Sequence, residues 1–328
     1  VEVERNIRKH WVDLLRGLCM IAILLDHTEI YYTGSNIIDY SFYVVNALVI
    51  FFFLSGYLFY KSNTDFSIIH KLRSIARSIL LPYFVFTMVI ALPKSFAHSY
   101  DISSTLLSIL TGDASWFVAA LAVAEAIFAL MLWASKGRNI LLAMSAALCF
   151  VGCYVLSTRE ILCYWHIENA FLAVPLLYLG YLYHRYEHHF YRFSRPLYTV
   201  FLLFLLVLLK VYEHSAGITF LIEPIRVGNW YVFWADVLVS ILCLVQISKA
   251  MGEVYWLEWT GRRSLVYYFF SGGVPLCVSW GLGKMGMNYS STYCNVVFAF
   301  LCVYLFASLI AGCVYRYFSF VLGKGKRE

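Results

Sequence analysis

The stretch Asp13-Leu14-Leu15-Arg16-Gly17-Leu18-Cys19-Met20-Ile21-Ala22-Ile23-Leu24-Leu25-Asp26-His27 decides how this chain is read. Taken from Val12 to Tyr32, it supplies the roughly 20 residues that a bilayer core demands of a helix. It nevertheless carries Asp13, Arg16, Asp26 and His27. Each such group costs a few kcal/mol at mid-membrane, so an ionisable residue inside a span is a functional hypothesis from the outset. Arg16 and His27 stand eleven residues apart. At 3.6 residues per turn, that spacing returns to nearly the same helix face about 16 Å further along the axis.

The rest of the chain repeats the apolar pattern. Of 328 residues, 62% are hydrophobic and 13% are charged, whereas soluble domains carry roughly a quarter charged residues. Ten apolar runs of spanning length occur, near 12–32, 41–60, 79–97, 115–134, 140–157, 168–184, 197–213, 230–250, 264–282 and 293–318. The connections between them are short, so the expectation is an all-α polytopic membrane protein of about ten transmembrane helices. Residues 1–328 then form a single integral-membrane domain. Sorting Lys and Arg onto alternate sides puts twenty on one side, with Lys94, Arg159, Lys210, Arg226 and Lys284 on the other. By the positive-inside rule both termini are cytoplasmic, Arg16 lies at the cytoplasmic mouth and His27 in the outer half of the bilayer. The expected location is the cell (inner) membrane. The net charge of +6 is spread over loops and forms no patch, which argues against a nucleic-acid partner.

Nine cysteines show no CxxC pair, and most lie in apolar runs, where Cys acts as a small hydrophobe. Cys149 and Cys153 are one helical turn apart but lack a His or carboxylate neighbour in sequence, so no metal site is expected. A Cys163–Cys294 disulfide is left open. The run His184-Arg185-Tyr186-Glu187-His188-His189 reads as a solvated turn.

Several polar positions within the apolar runs mark packing or chemistry. Ser55-Gly56, set among bulky residues, suits close approach of another helix. Arg73 and Arg77 share a helix face, which fits either positive-inside anchoring or a clamp on phosphate oxygens. Glu125, about 16 Å into its span, must pair or line a cavity. Glu168 and Asp236 fall nearer the outer ends of their spans and read as structural or water-solvated. Ser271-Gly272-Gly273-Val274-Pro275 interrupts its run, so that helix is expected to be broken. Trp165, Trp230, Tyr231 and Trp234 suit interface anchoring or stacking on sugar rings.

Together these residues resemble membrane acyltransferase family 3. Asp13-Leu14-Leu15-Arg16-Gly17 with His27 resembles its opening signature, and Phe51-Phe52-Phe53-Leu54-Ser55-Gly56-Tyr57-Leu58 its second motif. Arg77 before Leu81-Pro82-Tyr83, Trp116-Phe117 leading to Glu125, and Tyr178-Leu179-Gly180-Tyr181-Leu182 follow in order. Gly261-Arg262-Arg263-Ser264-Leu265-Val266-Tyr267-Tyr268 resembles the late motif. The sugar-O-acetylase branch is the nearest in kind. The chain departs from many relatives at Ser271, where they carry a His.

The resemblance implies an integral-membrane O-acyltransferase. Such an enzyme takes an acetyl group from cytoplasmic acetyl-CoA and passes it to a hydroxyl of a glycan or lipid-linked sugar. On that expectation Arg16, Arg73 and Arg77 hold the donor phosphates, His27 is the general base with Glu125 as its partner, and Trp116, Tyr83 and Asp236 contact the acceptor. The partners are then the lipid bilayer, acyl-CoA and the sugar acceptor, with no metal. The rival reading is a secondary transporter of a polar metabolite, to which intramembrane ionisable groups and a broken helix are equally suited.

Overall fold

The computed structural model describes residues 9–61, 66–98, 101–190 and 196–323. Arg5, Arg8, Arg192, Arg195, Lys324, Lys326 and Arg327 of the charge sort lie outside the described residues. The described chain is helical apart from a two-residue hairpin, in which β1 (Phe220–Leu221) pairs antiparallel with β2 (Arg226–Val227).

Helices coincide with all ten expected apolar runs. They are α1 (His10–Thr33), α2 (Tyr40–Phe59), α3 (Ile68–Ile75) running on into α4 (Leu81–His98), α6 (Trp116–Ser135), α7 (Asn139–Thr158) and α8 (Ile167–Arg185). The series continues with α10 (Pro196–Ser215), α11 (Trp230–Ala250), the pair α13 (Ser264–Phe270) and α14 (Gly273–Lys284), and α15 (Tyr293–Tyr317). Among the described residues, seven helices are long and apolar enough to cross a membrane, and eight if α13 and α14 count as one bent span. Helix α1 falls outside that group because it carries Asp13, Arg16, Asp26 and Glu29 within 24 residues.

Two local features depart from the sequence expectation. The third helical stretch begins at Ile68, well before the apolar run near 79, because Ser67 caps it by accepting from the His70 amide. It survives Pro82 by widening to a π turn over Ala76–Leu80, since the proline ring and its missing N–H do not permit a regular α turn there. Short helices α5 (Ile102–Thr111), α9 (Glu187–Phe190) and α12 (Tyr255–Arg262) add to the expected set. The expected break falls where Ser271-Gly272 separate α13 from α14, which are bent by 52°.

The residues divide into two compact units, and two of the boundaries fall inside α2 and α15. Among the described residues, the first comprises 9–50, 196–218 and 229–312. There α1 packs against α11, α12, α13 and α14. Glycines let α1 and α12 come close: a Cβ on Gly17 would run into the Leu257 carbonyl, and one on Gly261 into that of Asp13. The second unit comprises, among the described residues, those of 51–190, 219–228 and 313–323. Here α6, α7 and α8 pack together and α3 lies on α6. Gly56 and Gly180 repeat the device, their absent Cβ atoms making room for the carbonyls of Leu177 and Phe53. This confirms the packing role read for Ser55-Gly56.

Candidate functional site

In the first unit, the two ends of α1 carry different chemistry. At its start, Asp13 accepts from Arg262 Nε at 3.2 Å, and Arg262 also donates to Glu258 at 2.8 Å. The opening motif and the late motif thus meet, held by an ion-paired arginine and by the Gly17–Gly261 approach. Arg16 is half-buried one turn further along α1.

At the other end, His27 is half-buried and its ring stacks on Tyr31, one turn on, with centroids 6.4 Å apart. No described side chain hydrogen-bonds its imidazole. Asp26 is buried and accepts from the Asn36 amide, so it does not orient His27. Glu29, which the sequence reading passed over, is fully buried. Its carboxylate accepts from the Tyr293 hydroxyl at 2.6 Å and from the amides of Ile37 and Ile38 at 2.9 and 3.1 Å, tying down the α1–α2 loop. The available signal was a second carboxylate three residues after Asp26 inside one span.

Asp236 is fully buried and 2.9 Å from Lys210 Nζ, which also reaches Glu213 at 3.1 Å. Of the two roles read for Asp236, structural or solvated, the structure supports the structural one. Two turns into α11 it lies against α10, whose lysine supplies what water would have supplied.

In the second unit, Glu125 accepts from the Ser55 hydroxyl and pairs with Lys71 Nζ at 2.9 Å. The structure thus joins the second motif, α6 and the basic segment around one carboxylate. Lys71 also lines a cavity of about 960 Å³, together with Lys61, His70, Ser74, Lys136 and Tyr181. Arg73 and Arg77 sit on the same helical stretch but are exposed, and neither lines this cavity. In the sequence Lys61, Lys71 and Lys136 are simply three of the twenty basic residues sorted to one side; their convergence depends on how α2, α3 and α6 pack.

The remaining expected residues have structural partners. Tyr83 is fully buried and donates to the Ile109 carbonyl at 2.8 Å. Trp116 packs edge-on to Phe117 and lies 6.4 Å from the His166 ring. His166 is a buried residue that no motif pointed to. Asp113, Glu168 and Glu223 approach it at 3.4, 3.6 and 3.7 Å. Burial alone would lower its pKa, but the neighbouring carboxylates of Glu168, Glu223 and Asp113 outweigh this and raise it. Glu168 is itself 2% exposed and accepts from the Cys163 amide, so here too the structural role holds and the solvated one does not. The His184–His189 run is likewise only partly solvated: Glu187 is buried and accepts from the Tyr57 hydroxyl at 2.7 Å, and the His184 ring stacks on Tyr57 at 4.0 Å. All nine cysteines are free thiols, including Cys163 and Cys294.

Chemically, the second unit offers a cationic cavity suited to a polyanion, and the first an imidazole whose nitrogens have no described hydrogen-bond partner. Compared with known protein families, residues 9–317 match the family described as an acyltransferase domain, that of acyltransferase family 3. Neither the curated proteins nor the solved structures give a match.

Proposed function

Because this chain belongs to acyltransferase family 3, we propose that it is a multi-pass O-acetyltransferase of the cell (inner) membrane, with both termini cytoplasmic and about ten crossings. It moves an acetyl group from acetyl-CoA to a hydroxyl of a cell-surface or lipid-linked glycan. The observation that carries this reading is the cavity of about 960 Å³ lined by Lys61, Lys71 and Lys136. Its volume lies at the upper end of the usual range for ligand sites, and its lysines supply point charges for phosphates. Arg73 and Arg77, exposed on the adjoining turns, add to the attraction for the same polyanion.

In the proposed reaction His27 takes the proton of the acceptor hydroxyl as that oxygen attacks the thioester carbonyl carbon. The tetrahedral adduct collapses with cleavage of the C–S bond, and the leaving thiolate takes up the proton. The products are the O-acetyl ester and free CoA thiol. Glu125 belongs to the donor side of this scheme through Lys71, whose position it fixes.

The test is acetyl-CoA binding and thiol release by the purified protein. Acetyl-CoA is expected to raise the unfolding temperature of the wild type, and Lys61→Ala with Lys136→Gln is expected to remove most of that rise. His27→Ala is expected to abolish acetyl transfer while the protein stays folded and inserted. Normal transfer by His27→Ala rules out the assigned base. A wild type that neither binds nor cleaves acetyl-CoA returns the balance to the transporter.

A further inference from the structure

A second cavity, of about 290 Å³, opens in the first unit between the end of α1 and α14. Tyr31, Tyr32, Trp280 and Tyr289 form aromatic walls, with Leu276, Ser279 and Asn288 completing the lining. Two of the walls are braced. The Tyr32 hydroxyl donates to the Met287 carbonyl at 3.0 Å, and the Tyr32 and Tyr289 rings meet edge to face at 6.2 Å. Lys284 stands 5.7 Å from the Trp280 ring.

The polar groups of the lining are left over. The Ser279 hydroxyl oxygen is shielded from solvent and has no hydrogen-bond partner among the described residues. The hydroxyls of Tyr31 and Tyr289 and the Asn288 amide also make no hydrogen bond among the described residues. The lining contains no charged side chain. Neutral donors and acceptors set between aromatic faces match a ligand with apolar C–H faces and hydroxyls around its rim, which describes a pyranose ring. A lipid acyl chain would leave the Ser279 hydroxyl and the Asn288 amide unused, and a phosphate would find no cation in the lining.

We infer that this cavity is the seat of the acceptor's sugar ring, held between Trp280 and Tyr31 with Ser279 and Asn288 bonding its hydroxyls. The cavity adjoins His27 through Tyr31, whose ring is stacked on the imidazole. As an acceptor site it rests on the acyltransferase reading above; as a sugar site it stands on its own lining.

The two are separated by measuring both ligands on the full chain in lipid nanodiscs. Saturation-transfer NMR with methyl β-D-glucopyranoside and methyl N-acetyl-β-D-glucosaminide is expected to show transfer to sugar ring protons in the wild type. Trp280→Ala and Asn288→Ala are each expected to weaken sugar binding about tenfold, with Trp280→Phe retaining most of it. Trp280 is 69% exposed, so truncating it removes no core packing. No transfer in the wild type overturns the inference. Equal transfer in wild type and Trp280→Ala also overturns it and leaves Trp280 an interfacial anchor. Acetyl-CoA stabilisation in the same discs reports on the donor. Sugar binding without it fails the enzyme reading but not the sugar site, and the converse fails the sugar site alone.

Discussion

Lys210 is the test of what holds the first unit together. Its ammonium lies 2.9 Å from Asp236, 3.1 Å from Glu213, 3.1 Å from the Ser41 carbonyl and 3.4 Å from the Asn46 side-chain oxygen. Lys210→Met removes all four contacts at once and leaves two carboxylates, Asp236 fully buried and Glu213 3% exposed, without their cation. Stripping one partner from a buried pair costs about 3–5 kcal/mol. Asp236→Asn keeps the other three contacts and replaces a charged acceptor with a neutral one, so its cost is about 1–2 kcal/mol. Replacing all three charges, in Lys210→Met with Glu213→Gln and Asp236→Asn, leaves no buried ion and is expected to lose less than Lys210→Met alone. The assay is thermal unfolding in detergent, followed by a thiol-reactive dye at the buried Cys19 and Cys243. At roughly 2 °C per kcal/mol, Lys210→Met lowers the midpoint by about 6–10 °C and Asp236→Asn by about 2–4 °C. An Asp236→Asn loss as large as that of Lys210→Met refutes the reasoning. Such a result would show that the carboxylate matters for more than its pairing with this lysine.

Two further outcomes follow from the packing. Gly261→Ala drives a methyl into the Asp13 carbonyl and is expected to cost about 1–3 kcal/mol, whereas Gly273→Ala, with open space around it, costs none. Equal midpoints for the two variants would remove the close-approach argument. His166 makes the second unit pH-sensitive. Its folded pKa is raised above 6.5, so its contribution is present in full below that value and fades as pH rises through the folded value. Glu223, pushed up by burial, acts in the same direction at lower pH. The unfolding midpoint of the wild type is therefore expected to fall more steeply above pH 6.5 than that of His166→Gln. Parallel profiles would show that the cluster does not titrate in this range.

The amino-acid sequence alone determined where the helices lie, because that signal is local. Each apolar run must satisfy its own backbone within the helix, and runs such as 140–157 and 230–250 emerge as α7 and α11 with ends shifted by a few residues. The break at Ser271-Gly272 and the close approach at Gly56 were legible for the same reason, since glycine and proline act on their own turn. What each charge does was decided only by tertiary structure. Asp13 meets Arg262 from 249 residues away, Asp236 meets Lys210 across 26, and Glu125 meets Lys71 from another helix. Water at a helix end and a lysine on a neighbouring helix satisfy a carboxylate equally well, and no periodicity in the chain tells them apart. For this reason the sequence left Glu168 and Asp236 between a structural and a solvated role, and Lys61, Lys71 and Lys136 looked like ordinary loop cations, until packing formed a cavity lined by the three lysines.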